Sequence, residues 1–406
     1  MNPSEVLRIV DAIHRDKHID KEIVFIGIEA AIATAARKQY GDEAVLVIRV
    51  DRQTGEISGT RDGVPIAPAE IGERIGAQSA KQVMIQKIRE AERDSVYEDY
   101  RKQLDQIVAG LVQRVDGRRG GSPDGGAVMV SLPGVDAVIP RDHRIPGETF
   151  HNGDRIRGVL TEVKKNGNKV KVVISRVRPL FVQRLFEQEV PEIQEAVIEI
   201  KGVEREPGYR SKVAVYSPDA RVDSVGSCIG MRGSRIKNIT DELHNERIDV
   251  VPWSADMMEF IPNALRPAEI EEVVLCQMLG RAIVLVQPDQ RLLAIGRKGQ
   301  NVRLASKLVG WDIEIMTRDE LDADIEKAIG SFRLIDGMTD DLADRLVGEG
   351  FLTFDDLSII EPNDLVQMGE IALDLAESFI ERAERLSEEE ERIREKSGIL
   401  QRTHDG

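Results

Sequence analysis

The feature that most restricts the fold of this 406-residue chain is an internal repeat just past its middle. Lys212-Val-Ala-Val-Tyr and Arg281-Ala-Ile-Val-Leu-Val both read as strands. Each is followed by a polar turn and then by Ile-Gly-x-x-Gly, at Ile229–Gly233 and Ile295–Gly299. An amphipathic helix comes next in both copies, with Ile236, Ile239 and Leu243 on one face in the first and Val302, Ala305 and Leu308 in the second. Each copy closes with a short β run, Ile248-Asp-Val-Val and Ile313-Glu-Ile-Met. Self-similarity of this kind marks one supersecondary unit used twice. No flexible linker separates the copies, so they are expected to pack as one rigid body.

A strand, then I-G-x-x-G, then a helix is the core of a KH domain, and the chemistry explains the residue types. Glycines leave the loop backbone bare, so a sugar-phosphate chain can approach it closely. The helix that follows turns its N-terminal N–H groups and positive dipole end toward that phosphate. The middle residues, Met231-Arg232 and Arg297-Lys298, add positive charge, and such a loop clamps about four nucleotides of a single strand. The candidate RNA-binding residues are therefore Gly230, Met231, Arg232, Gly233, Ser234, Arg235 and Lys237 in the first copy. In the second they are Gly296, Arg297, Lys298, Gly299, Gln300, Asn301, Arg303 and Lys307. A lone G-x-x-G occurs in many turns, whereas two copies in matched settings are a much stronger signal. Neither loop extends to G-x-G-x-x-G or G-x-x-x-x-G-K-[ST], which argues against a nucleotide cofactor.

A net charge of −16 looks wrong for a nucleic-acid binder until it is divided along the chain. From Thr317 onward there are 10 Lys/Arg against 25 Asp/Glu, while Met1–Met316 carries 46 against 47. The acidity lies in a C-terminal block, and the balanced body can still present a basic face. One expectation from this distribution is that the tail folds back over the KH loops and competes with RNA. Cys228 and Cys276 lie far apart without metal-ligand spacing, so no disulfide, metal or cofactor is expected and a reducing cytoplasm is the natural compartment. No apolar run approaches the length of a membrane span.

The remaining segments fall into place around the repeat. Asn2–Tyr40 reads as helices, Val45–Val50 as a strand, and Ala69 to about Leu111 as a long charged helix. Short β-type runs at Val128–Val130, Ala137–Ile139, Ile156–Leu160 and Val170–Ile174, split by turn residues, suit a small OB-type barrel. The Gly-rich insert Asp116–Gly126 is expected to be a mobile loop. Phe150 is the only aromatic ring of Phe, Tyr or Trp type between Val112 and Ser175. OB barrels grip single strands largely by stacking, so this one is expected to be an auxiliary surface. The fold class is thus multidomain α+β: an α/β N-terminal head with a long helix, an OB-type barrel, two tandem KH domains and a helical acidic tail. The expected boundaries are 1–105, 108–178, 179–255, 256–318 and 319–406.

Several whole strings, in this order of parts, resemble the NusA family of bacterial transcription termination and antitermination proteins. They are Ile75-Gly-Ala-Gln-Ser-Ala-Lys-Gln-Val, Ile88-Arg-Glu-Ala-Glu-Arg, Leu185-Phe-Glu-Gln-Glu-Val-Pro-Glu-Ile, Pro207-Gly-Tyr-Arg-Ser-Lys-Val-Ala-Val and Ile295-Gly-Arg-Lys-Gly-Gln-Asn-Val-Arg-Leu-Ala-Ser-Lys-Leu. The resemblance implies an N-terminal domain that docks on RNA polymerase, an S-one-type barrel, and KH domains that take the nascent transcript. It also implies work with other Nus factors in pausing, termination and antitermination. About Leu334–Ile371 is similar to the acidic repeats of some members and to a helix-hairpin-helix unit, whose net acidity favours a protein partner over nucleic acid. A monomer without catalytic activity is expected. The competing classes are an RNA-processing enzyme carrying KH and OB modules, for which no segment of enzyme size is left over, and a ribosome-associated RNA binder.

Overall fold

In the computed structural model, which describes residues 3–17, 20–41, 44–66, 77–115, 126–167 and 169–404, the first two apolar stripes become helices. Val6 and Val10 of α1 (Pro3–Lys17) meet Val24, Phe25, Ile28 and Ile32 of α2 (Lys21–Tyr40). They pack over a small antiparallel sheet of β1 (Leu46–Val50), β2 (Ile57–Arg61) and β3 (Val64–Ile66). Only β1 was expected. The run Ile57-Ser-Gly-Thr-Arg has too little apolar alternation to announce a strand. Its signal is the turn Asp62-Gly63, both residues at positive φ (51° and 83°), which is the pattern of a two-residue hairpin.

The long helix is α3 (Ala77–Arg101); residues 69–76 of the expected helix lie outside the described residues. It stops well short of Leu111, because the β-branched run from Ile107 is the first barrel strand. Ile88 and Ala91 of α3 join the head core, while Val96, Tyr97 and Tyr100 pack on the barrel. The Tyr100 hydroxyl donates to the Pro133 carbonyl at 2.8 Å. One helix therefore carries two cores within the unit Met1–Arg184.

The barrel comprises β4 (Ile107–Val115), β5 (Val128–Leu132), β6 (Val135–Ile139), β7 (Arg155–Asn166) and β8 (Lys169–Ser175), closed in the order β4-β5-β6-β8-β7. The β6–β8 pair is parallel and the others antiparallel, which is the OB arrangement. Ten of the eleven residues of the insert Asp116–Gly126 lie outside the described residues.

Helix α4 (Pro179–Glu189) and the short α5 (Pro191–Gln194) lead into the unit Leu185–Gly406. The first repeat is β9 (Glu199–Glu206), β10 (Arg210–Tyr216), α6 (Ser224–Ile229), α7 (Ser234–Glu242) and β11 (Arg247–Pro252). The second is α8 (Met257–Leu265), β12 (Glu272–Cys276), β13 (Arg281–Leu285), α9 (Arg291–Ile295), α10 (Gln300–Val309) and β14 (Asp312–Met316). Both sheets put the middle strand antiparallel to its predecessor and parallel to its successor. The short helices α6 and α9 were not expected. Five or six residues are too few to show a helical period, and Asp223 caps α6 through the Gly226 N–H at 2.9 Å.

The two copies share a core. Ala214 and Val251 of the first sheet cluster with Ala305 and Val309 of α10, and Gly202 of β9 lies close against Leu308. Helix α10 is thus held between its own sheet and the first copy's sheet. On the Ala214 face of β10 sits Lys212, 0% exposed, with Nζ 3.1 Å from Asp249. Arg210 and Arg247 share that carboxylate. Burial, reinforced by these two guanidiniums and only partly offset by Asp249, pushes the Lys212 pKa down to about 8.

The acidic tail folds as α11 (Arg318–Phe332), α12 (Asp340–Gly348), α13 (Phe354–Ser358), α14 (Pro362–Gly369) and α15 (Leu373–His404). These surround Phe332, Leu346, Phe351, Phe354, Leu365 and Phe379. Its apolar contact with the second KH copy is on the sheet face away from α8 and α10, while Glu320 pairs with Arg291 of α9 at 2.8 Å. On that face Ile283, Leu285, Cys276 and Met316 meet Leu321, Ile325 and Leu352. Arg281 reaches the buried Asp356 at 2.9 Å. Gly350, at φ +90°, leaves room for the Cys276 sulfur, which a Cβ would approach to 2.1 Å. The expectation that the tail lies over the KH loops is therefore corrected: its apolar contacts take it to the rear of the sheet.

Two outcomes test this packing. Gly350→Ala should lower the stability of the chain by about 2–4 kcal/mol in urea denaturation; an unchanged midpoint would refute the close approach. For Lys212, both states are protonated below about pH 8, so the burial penalty is present in full there. Between about 8 and the ordinary 10.5 only the unfolded chain holds the proton, so stability should rise with pH across that window. Lys212→Met should abolish that rise in a denaturation series; a rise equal to the parent's would rule it out.

Candidate nucleic-acid interface

The two Gly-x-x-Gly loops are copies at the level of torsion angles. Gly230 and Gly296 have φ/ψ of 75°/171° and 75°/173°, and Gly233 and Gly299 have 76°/18° and 70°/15°. Between them Arg232 (55°/26°) and Lys298 (54°/33°) occupy the left-handed region, which costs a side-chain-bearing residue about 1 kcal/mol or more. Two cationic residues held in the same sparsely populated conformation indicate that the loop's shape is worth that strain. The first glycine of each loop is also enforced by space. A Cβ on Gly230 would lie 2.7 Å from Arg235 Cγ, and one on Gly296 would lie 2.8 Å from Asn301 Cβ.

Helices α7 and α10 start on Gly233 and Gly299 without a side-chain cap, and neither carries an acidic residue in its first turn. Their leading N–H groups thus meet no capping carboxylate or hydroxyl, the arrangement that suits an anion. Met231, 85% exposed, and Arg232 crown the first loop, and exposed Arg297 and Lys298 crown the second. Ser234, Lys237 and Lys307 are exposed as well. Among the described residues, Arg232, Lys237, Arg297, Lys298 and Lys307 enter no direct ion pair.

The other candidates face inward or sideways. Arg235 is half-buried and donates to Glu192 at 2.8 Å and to the Ser227 carbonyl at 2.6 Å. Asn301, at the matching position of the second copy, is buried and donates to the Leu265 and Ala294 carbonyls at 2.8 and 3.1 Å. Each side chain ties the short helix before its loop to a helix before its sheet, so both act as internal braces rather than as exposed contacts. Arg303 donates to Glu206 at 2.8 Å and to the Lys298 carbonyl at 3.3 Å, and Gln300 donates to Glu206 at 2.7 Å. Burial would raise the Glu206 pKa, but these hydrogen bonds and the nearby Lys307 charge hold it below the usual carboxylate range.

Sequence reasoning placed seven cations near the backbone path; the structure brings five to the open surface and commits Arg235 and Arg303 to neighbours. Glu206 was missed. Its signal was weak: a single acid at the end of a strand whose partner lies 94 residues away. Among the described residues no group of three or more His, Cys, Asp or Glu could hold a metal ion, and no helix is long and apolar enough to cross a membrane.

Comparison with known proteins agrees with this geometry. The family description "NusA N-terminal domain" matches residues 5–64, "NusA-like first KH domain" residues 176–253, and "NusA-like second KH domain" residues 257–323. The transcription termination/antitermination protein NusA of Rickettsia conorii is 37% identical over 350 residues, covering 78% of this chain and 68% of that protein. The protein of the same name from Rickettsia prowazekii is 38% identical with the same coverage. A solved structure described as the crystal structure of APE1850 overlaps 34% of this chain and 97% of its own, at 25% identity and a TM-score of 0.27, too low to bear on the fold. With two KH domains whose loops agree within a few degrees and relatives of this similarity, the chain belongs to the NusA family of transcription termination/antitermination proteins.

Proposed function

We propose that this chain is a transcription elongation factor that docks on RNA polymerase through its N-terminal head and holds the nascent transcript on its paired KH loops. By retaining emerging RNA beside the polymerase it would lengthen hairpin pauses and, with other Nus factors, bias the choice between termination and antitermination. The observation that carries the reading is the pair of torsion-matched loops, each joining an uncapped helix start to exposed cations. Gly230, Met231, Arg232, Gly233, Ser234 and Lys237 would contact the strand in the first copy. Gly296, Arg297, Lys298, Gly299, Gln300 and Lys307 would do so in the second, with Arg235 and Asn301 holding the loops in shape. Phosphate contacts supply affinity, and the groove beyond the loop reads the bases. Arg303 already donates to Glu206, so a phosphate would share it with that carboxylate.

Replacing Arg297-Lys298 by Asp-Asp tests the clamp, since Asp tolerates the left-handed conformation of position 298. Affinity of the full chain for single-stranded RNA should fall at least about tenfold at low salt, with the circular dichroism spectrum unchanged. Equal affinity would mean that the loop is not the clamp. In a purified elongation assay with the cognate polymerase, the unaltered chain should prolong pausing at an RNA hairpin; pause lifetimes that ignore the protein would refute the elongation role.

A further inference from the structure

The chain is poor in rings, with aromatic residues at 4%, yet single-stranded RNA outside a KH groove is held chiefly by stacking of its bases on aromatic faces. Among the described residues a single Phe, Tyr or Trp side chain is exposed, that of Tyr209 at 64%. It stands on the turn between β9 and β10 of the first KH domain.

That turn is fixed from three sides. Tyr209 closes it by donating its N–H to the Glu206 carbonyl at 3.0 Å, and its own carbonyl accepts from the Arg247 N–H at 3.1 Å. Gly208, at φ +78°, donates to Glu246 at 2.8 Å, and Glu246 is itself buried against Arg205. Glu206, three residues before Tyr209, is the carboxylate that receives Gln300 and Arg303 from the first turn of α10. Arg303 in turn donates to the Lys298 carbonyl inside the second loop. The first domain's turn is therefore bolted to the second domain's Gly-x-x-Gly loop. The same turn carries the exposed Tyr209, three residues from the carboxylate that makes this link.

We propose that Tyr209 is a stacking platform for an RNA base at the rim of the second KH loop, so that the second domain's binding site includes a residue of the first. The geometry suits the task. A rigid turn presents the ring at little entropic cost, the hydroxyl end can stay in water, and the flanking cations hold the sugar-phosphate chain close. Stacking has no donor–acceptor code, so this contact would add affinity with little sequence preference. The proposal rests on the reading of the loops as an RNA clamp.

The test uses the full chain and an end-labelled pool of random single-stranded RNA, about twenty nucleotides long, enough for two KH sites and the span between. Tyr209→Ala should weaken binding about fivefold or more, whereas Tyr209→Phe should stay close to the parent. Tyr209→Trp should also bind like the parent, and its emission should be quenched on adding RNA beyond any change from Trp253 and Trp311 in the parent chain. If Tyr209→Ala binds as the parent does while the Arg297-Lys298 double substitution has lost binding, the stacking proposal is overturned and the clamp stands. If Phe loses as much as Ala, the hydroxyl and not the ring is at work, which overturns it equally. If the double substitution leaves affinity unchanged, the clamp reading fails and this proposal fails with it.

Discussion

Helix α10 is pressed between two sheets, and the rest of the candidate nucleic-acid face depends on that position. Its Ala305 and Val309 lie in the core shared by both KH copies, while Leu308 approaches Gly202 of the first copy. A helix gripped on two sides has a fixed rotation about its own axis. That rotation decides which of its side chains are left for a ligand. Gln300 and Arg303 are turned to Glu206 of the first domain, Asn301 is turned into the second, and Lys307 remains outside. The loop immediately before the helix inherits the same orientation. Arg297 and Lys298 therefore project from a frame that neither KH domain could supply alone.

Much of this was legible in the sequence, and the parts that were not share a cause. Periodicity and the repeat revealed the KH pair, the barrel and the helical tail, because each of those elements buries a regular apolar pattern. The torsion-matched loops were legible through glycine, whose conformational freedom leaves a direct mark. Short elements were lost: α6 and α9 span too few residues for a helical period, and β2 and β3 are announced only by Asp62-Gly63. The candidate residues divide where a polar side chain serves the interior. Arg235 and Asn301 look like ligand-facing side chains by type and spacing, and only tertiary structure reveals the carbonyls they satisfy. Glu206 was invisible because its meaning lies entirely in residues more than ninety positions away.

The charge distribution was read correctly along the chain and wrongly in space. Counting placed the acid in the tail, and Coulomb attraction suggested that it would cover the basic loops. Burial decides otherwise. The Arg281–Val286 run is apolar on both faces of the strand, so covering one face with α8 and α10 leaves Ile283 and Leu285 in need of a partner. The tail supplies it through Leu321, Ile325 and Leu352, and Asp356 completes the contact by pairing with Arg281. Burying several large aliphatic side chains is worth several kcal/mol. Attraction between exposed charges in water is worth about 1 kcal/mol per pair. The apolar face wins, and the acid follows it to the back of the sheet.

The same logic explains why the two KH sheets differ although their topology is the same. Each sheet is covered on its second face by the module that follows it in the chain: α10 lies on the first sheet and the tail on the second. The first seam is built around Lys212, Arg210 and Asp249 beside Ala214, where the second uses Ile283 and Leu285. An ionic seam is a poor source of stability, because desolvation offsets much of the Coulomb attraction. It is a demanding source of register, however, since a slip of one residue along β10 would leave Lys212 buried without Asp249. The second seam has only to hold the tail in place. The first must fix the angle between the two Gly-x-x-Gly loops, and there a costly, orientation-specific contact is the better choice.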